Sequence, residues 1–159
     1  EVERSFKLHC CSKLRDFVFK YEDLLGKEIW DVLDEEIQQD PGAFLSAINS
    51  YASRKGNLPI YLLIDEYDNF TNTILATYGT EFYRTTTHGE GFIRGFFNVI
   101  KAAATGNGSA LQRMFITGVS PVTMDDVTSG FNIGTNITID SLFNSLVGFN
   151  EMELREMLL

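Results

Sequence analysis

Asp65 and Glu66 follow directly on the apolar run Ile60-Tyr61-Leu62-Leu63-Ile64. A short, unbroken, partly β-branched run, entered through Asn57-Leu58-Pro59, reads as a strand covered on both faces. In open α/β sheets ligands bind outside the carboxyl ends of the strands. Two carboxylates at that end therefore form a candidate site by position as well as by type. Such a pair could handle a metal ion and a water, as phosphoryl transfer requires. One carboxylate can hold Mg²⁺, a hard cation that keeps several of its waters. The next can orient or deprotonate an attacking water. Asp68, one loop step further, adds another carboxylate and is a second metal candidate. A plainer reading of the same residues has Asp65 capping a following helix and Glu66 solvated.

A second apolar run, Met114-Phe115-Ile116, ends in Thr117-Gly118-Val119-Ser120 and brings hydroxyls to another strand end. Four or more apolar residues followed by Asp-Glu is the Walker B signature of P-loop ATPases. In AAA+ and related ATPases the strand after Walker B ends in a polar residue, sensor 1, that contacts the γ-phosphate or the attacking water. Thr117 fits that role best and Ser120 second, although hydroxyls also favour strand ends and turns. The phosphate-binding partner motif, Gly-x-x-x-x-Gly-Lys-Ser/Thr, is not found. The Gly26-Lys27 pair has Tyr21 where the first Gly should stand and Glu28 where the hydroxyl should stand. Gly89, Gly91 and Gly95 miss the dinucleotide fingerprint by one residue and follow no strand, so they read as a hinge into a helix.

The elements that must position these residues are legible as periodicities. Phe6, Cys10, Leu14, Phe17, Val18, Tyr21, Leu24 and Leu25 recur at helical steps, and Gly26 is a stop. Ile29, Trp30, Leu33 and Ile37 suggest a second short helix. Asp40-Pro41 reads as a cap and first turn for a stripe of Phe44, Leu45, Ile48, Tyr51 and Ala52, ended by Gly56. The polar stretch from Tyr78 to Gly91 reads as a long loop. Phe92 to Ala104 is another helix, residues 122–129 a short one, and Leu142 to Val147 a further one. Asn136 to Ile139 reads as a third strand, and Asn150 with Glu153 as a capping-box start. Helix followed by buried strand, repeated, predicts an α/β fold with a parallel sheet flanked by helices.

The chain has 159 residues, 44% of them apolar, enough for one domain with an ordinary core. No run of apolar residues is long enough to span a membrane. The net charge of −9 gives no indication of nucleic-acid binding. Cys10 and Cys11 are adjacent and read as free thiols of a reducing compartment, which suggests a cytoplasmic protein. The absence of an initial Met and the uncapped helix at Leu159 suggest a piece of a longer protein.

The stretch Leu62-Leu63-Ile64-Asp65-Glu66-Tyr67-Asp68 resembles the Walker B region of a bacterial family of predicted AAA-ATPases (AAA-ATPase-like). So do Phe115-Ile116-Thr117-Gly118-Val119, Asn136-Ile137-Thr138, and Leu146-Val147-Gly148-Phe149-Asn150 with Glu151 and Glu153. Ser5-Phe6 with Phe17 to Tyr21 is similar to the helix after that family's second strand. The resemblance implies a partial P-loop-NTPase-like sheet and ATP with Mg²⁺ as cofactors of the parent protein. It also implies Asp65 as Mg²⁺ ligand, Glu66 as catalytic carboxylate and Thr117 as sensor. The P-loop segment would lie upstream, and a nuclease-like domain downstream would be a partner in the same chain. Arg84, Arg94 and Arg113 are the candidates for an arginine finger, with none assigned. Two other readings stay open: a non-hydrolysing STAND-like nucleotide switch or protein-interaction module, and a metal-dependent phosphotransfer or nuclease site that uses Asp65, Glu66 and Asp68 without a P-loop. A sheet missing its upstream strands is also expected to self-associate.

Overall fold

The computed structural model describes residues 1–56, 58–119, 133–143, 146 and 148–158. Helix α1 (Val2–Lys20) turns Cys11 and Val18 inward. Its path bends at Tyr21 into the single-turn helix α2 (Glu22–Leu25), which stops at Gly26. Gly26 has φ +81°, a conformation that glycine adopts without a Cβ clash. The expected short helix over Ile29 to Ile37 is instead two 3₁₀ turns, Lys27–Asp31 and Ile37–Gln39. They bury Ile29 and half-bury Ile37, and Leu33 is buried between them. Helix α3 (Pro41–Arg54) begins as expected: the Asp40 side chain accepts from the Ala43 N–H at 2.9 Å and Pro41 opens the first turn. Its inner face buries Phe44, Leu45, Ile48 and Ala52.

Strands β1 (Ile60–Ile64) and β2 (Leu111–Ile116) pair in parallel, with Leu62 opposite Met114, Leu63 opposite Phe115 and Ile64 opposite Ile116. A parallel pair needs a crossover connection, here helices α4 (Asn69–Thr87) and α5 (Phe92–Thr105). Leu62, Ile64, Met114 and Ile116 face a core cluster of Leu45, Ile74, Tyr83, Ile93, Phe97 and Ile100. A second cluster joins α1, α3, the 3₁₀ turns and the strand starts Ile60 and Leu111. The described residues thus form a largely helical α/β arrangement around a two-stranded parallel sheet.

Three further expectations are corrected. β1 is covered on one face only: Tyr61 is 64% and Leu63 75% exposed. An unbroken apolar run does not say on which side a layer of helices lies. The stretch from Tyr78 is not a long loop, because α4 continues to Thr87 and the connection is only 88–91. Its threonines disguise the helix: Thr86 and Thr87 are buried and both donate to the Tyr83 carbonyl at 2.8 Å, which satisfies the hydroxyls without solvent. Gly79 interrupts the helix with φ 80° and ψ 177°. Asn136 to Ile139 is not a strand; the Thr138 N–H bonds the Asn136 side chain at 3.0 Å in a local turn.

Within the expected Leu142–Val147 helix, a 3₁₀ turn covers Ser141–Phe143. Residues 122–129 lie outside the described residues. Helix α6 (Glu151–Met157) opens with the reciprocal Asn150–Glu153 capping box. Among the described residues no helix is long and apolar enough to cross a membrane.

Candidate functional site

β1 ends at Ile64, and the chain turns through Asp65-Glu66-Tyr67-Asp68 into α4. β2 ends at Ile116 and continues into Thr117-Gly118-Val119. The parallel pairing carries on past the strands: the Thr117 N–H donates to the Ile64 carbonyl at 2.8 Å, and the Tyr67 N–H to the Thr117 carbonyl at 3.0 Å. These bonds place the two loops side by side. The Thr117 hydroxyl donates to Asp65 Oδ1 and accepts from the Glu66 N–H at 3.2 Å. Asp65, Glu66 and Thr117, separate in sequence, thus form one cluster. Asp65 and Glu66 are exposed and Thr117 is half-buried. The Asp65 oxygen bonds Thr117 instead of an α4 N–H, so the capping alternative is not what the fold uses.

Glu66 takes a positive φ of 50°, unusual for a residue with a Cβ. Its carboxylate Oε2 accepts from Asn69 Nδ2 at 3.2 Å, and its carbonyl from the Asn69 N–H at 2.9 Å. The tight turn lifts Glu66 out of the strand direction beside Asp65.

Asp68 sits in a different environment. It is 1% exposed, and both its carboxylate oxygens lie 3.1 Å from the Val119 nitrogen. Asn72 Nδ2 donates to Oδ2 at 3.3 Å. Gly118 is fixed by the same contact, since a Cβ there would run into the Tyr67 ring and come 2.9 Å from Asp68 Oδ1. Sequence reasoning passed over Gly118, Tyr67 and the Val119 N–H. A glycine directly after a strand-end threonine was the available signal. Ser120 lies outside the described residues.

Among the described residues no three His, Cys, Asp or Glu side chains gather into a metal-binding group. Mg²⁺ does not require one, because it is often held by one or two carboxylates with waters and substrate phosphates. The exposed Asp65 carboxylate beside a hydroxyl is a hard-oxygen donor set that fits such an ion. A cavity of about 290 Å³ opens elsewhere, among Phe6, Lys7, Asp40, Gly42, Phe92 and Phe96. None of the site residues lines it.

A family model described as Predicted AAA-ATPase matches residues 1–128. Neither the curated proteins nor the solved structures yield a match. The matched span takes in α1, the two strands, the crossover and the Asp65–Thr117 cluster, and on it the chain belongs to the predicted AAA-ATPase family.

Proposed function

We propose that these residues are part of a P-loop-type ATPase core and supply its metal- and water-handling side chains. The observation that carries the proposal is the Thr117 hydroxyl, bonded at once to Asp65 and to the Glu66 backbone at the ends of adjacent parallel strands. In this reading Asp65 holds Mg²⁺, largely through water, and the ion when bound neutralises charge on the phosphates. Glu66 orients an attacking water and accepts its proton at the carboxylate. Thr117 holds the Asp65 carboxylate in place and, as sensor 1, presents its hydroxyl to the γ-phosphate, with Ser120 as a further contact. Residues 1–159 would be the Walker B to sensor 1 part of the core. Phosphate contacts would come from a P-loop segment upstream, since the chain carries no Gly-x-x-x-x-Gly-Lys-Ser/Thr. A downstream nuclease-like domain would be the second partner.

The test uses the full-length protein with Asp65→Ala and Glu66→Gln. Asp65→Ala should raise the Mg²⁺ requirement and lower turnover. Glu66→Gln should leave ATP affinity nearly intact while turnover falls by about 10²–10⁴, the range of a general base. Unchanged turnover in Glu66→Gln removes the catalytic assignment.

A further inference from the structure

Asp65 and Asp68 are three residues apart, yet one is exposed and the other is sealed from solvent. A carboxylate survives burial only where donors satisfy its oxygens. One donor supplied to Asp68 from outside its own helix is the Val119 N–H, two residues beyond Thr117. We infer that Asp68 is a positioning residue: its carboxylate clamps the 117–119 loop onto the 65–68 turn and so holds the Thr117 hydroxyl against Asp65. The inference rests on the proposed reading of Asp65 and Thr117.

The two loops are joined at two depths. The Thr117–Asp65 bond lies at the surface, where water competes for both partners. The Asp68–Val119 bond is part-buried, with its carboxylate end 1% exposed, so water competes for it less. The inner bond therefore sets the geometry of the outer one. Gly118 stands between them with no space for a Cβ, so the loop cannot slide along the turn without striking Tyr67. The metal then falls to Asp65, and the Asp68 charge serves the Val119 amide.

The full-length protein with Asp68→Asn, Asp68→Ala and Asp65→Ala tests this. Asn keeps an oxygen for Val119 but loses the charge. With Mg²⁺ varied at saturating ATP, Asp68→Asn should leave the half-saturating Mg²⁺ concentration within about threefold of the parent, while kcat falls modestly. Asp68→Ala should lower kcat by about 10–100-fold, as expected of a loosened site. Hydrogen exchange at the Val119 amide, read without nucleotide, should speed up in the order parent, Asp68→Asn, Asp68→Ala. A Mg²⁺ requirement raised in Asp68→Asn as far as in Asp65→Ala would overturn the inference and make Asp68 a ligand. Val119 exchange unchanged by these substitutions would overturn the clamp. Should Asp68→Ala fail to fold, Asp68→Asn decides by the same two readouts. If the protein hydrolyses no ATP, the exchange still tests the clamp, while the ATPase reading falls separately.

Discussion

Glu66 holds the least comfortable backbone in the site, with φ +50°. The left-handed region costs a residue with a Cβ roughly 1–2 kcal/mol, and glycine offsets part of that gain by its greater freedom when unfolded. Glu66→Gly is therefore expected to raise stability by about 0.5–1 kcal/mol in urea unfolding while it removes the proposed base. A fall in stability would mean that the carboxylate's contact with Asn69 Nδ2, at 3.2 Å, outweighs the strain. Gly118 carries the opposite forecast. A methyl group there meets the Tyr67 ring and the Asp68 carboxylate, so Gly118→Ala should cost about 1–3 kcal/mol, the range of overpacking. The same urea titration reads it. Asp65 and Thr117 could be found in the sequence because strand-end carboxylates and hydroxyls are visible as types. The burial of Asp68 could not, since it depends on a backbone amide that sequence places far away.

Elements whose signals are local were legible. α3 begins where Asp40-Pro41 says it should, and Asp40→Ala is expected to lower stability by about 1 kcal/mol through loss of the Ala43 cap, measured by thermal or urea unfolding. α1 was legible from its stripe, and its thiols follow from its packing. Burial, with Cys11 as a smaller contribution, pushes the Cys10 thiol up to about 11. The folded chain then keeps a proton that the unfolded chain releases near its ordinary value of 9.0. Stability should accordingly decline as pH rises from 9 toward 11, with the full contribution present below 9. At pH 8, alkylation of Cys10 in the folded protein should run about tenfold slower than that of a free thiol, because the smaller thiolate fraction is partly offset by a more nucleophilic thiolate; mass spectrometry of modified peptides reads it. Elements governed by distant partners were not legible. The second half of α4 hides behind threonines that satisfy themselves on Tyr83. The Asn136–Ile139 stretch has β-branched residues, but among the described residues no strand pairs with it.

At the scale of the whole molecule, the sheet has one face packed on helices and the other carrying exposed Tyr61, Leu63 and Phe115. Exposed contiguous apolar surface favours association. Residues 1–159 produced alone should therefore associate with rising concentration in sedimentation velocity, and Leu63→Lys should shift them toward monomer without loss of stability. A monomer at all concentrations would show that this face is not adhesive on its own. The site's assembly also has a temporal side. Thr117 and Asp65 stand 52 residues apart in sequence and Val119 and Asp68 51 apart, with both crossover helices between them. Neither contact can form while the chain is only locally ordered, because closing so long a loop must precede any gain from the pairing. Helices can come and go in microseconds, but the carboxylate–hydroxyl cluster exists only once β1 and β2 have found their register. A nascent or partly unfolded chain thus holds none of the candidate site rather than a weakened version of it, and the Asp65–Thr117 cluster is present in full or not at all.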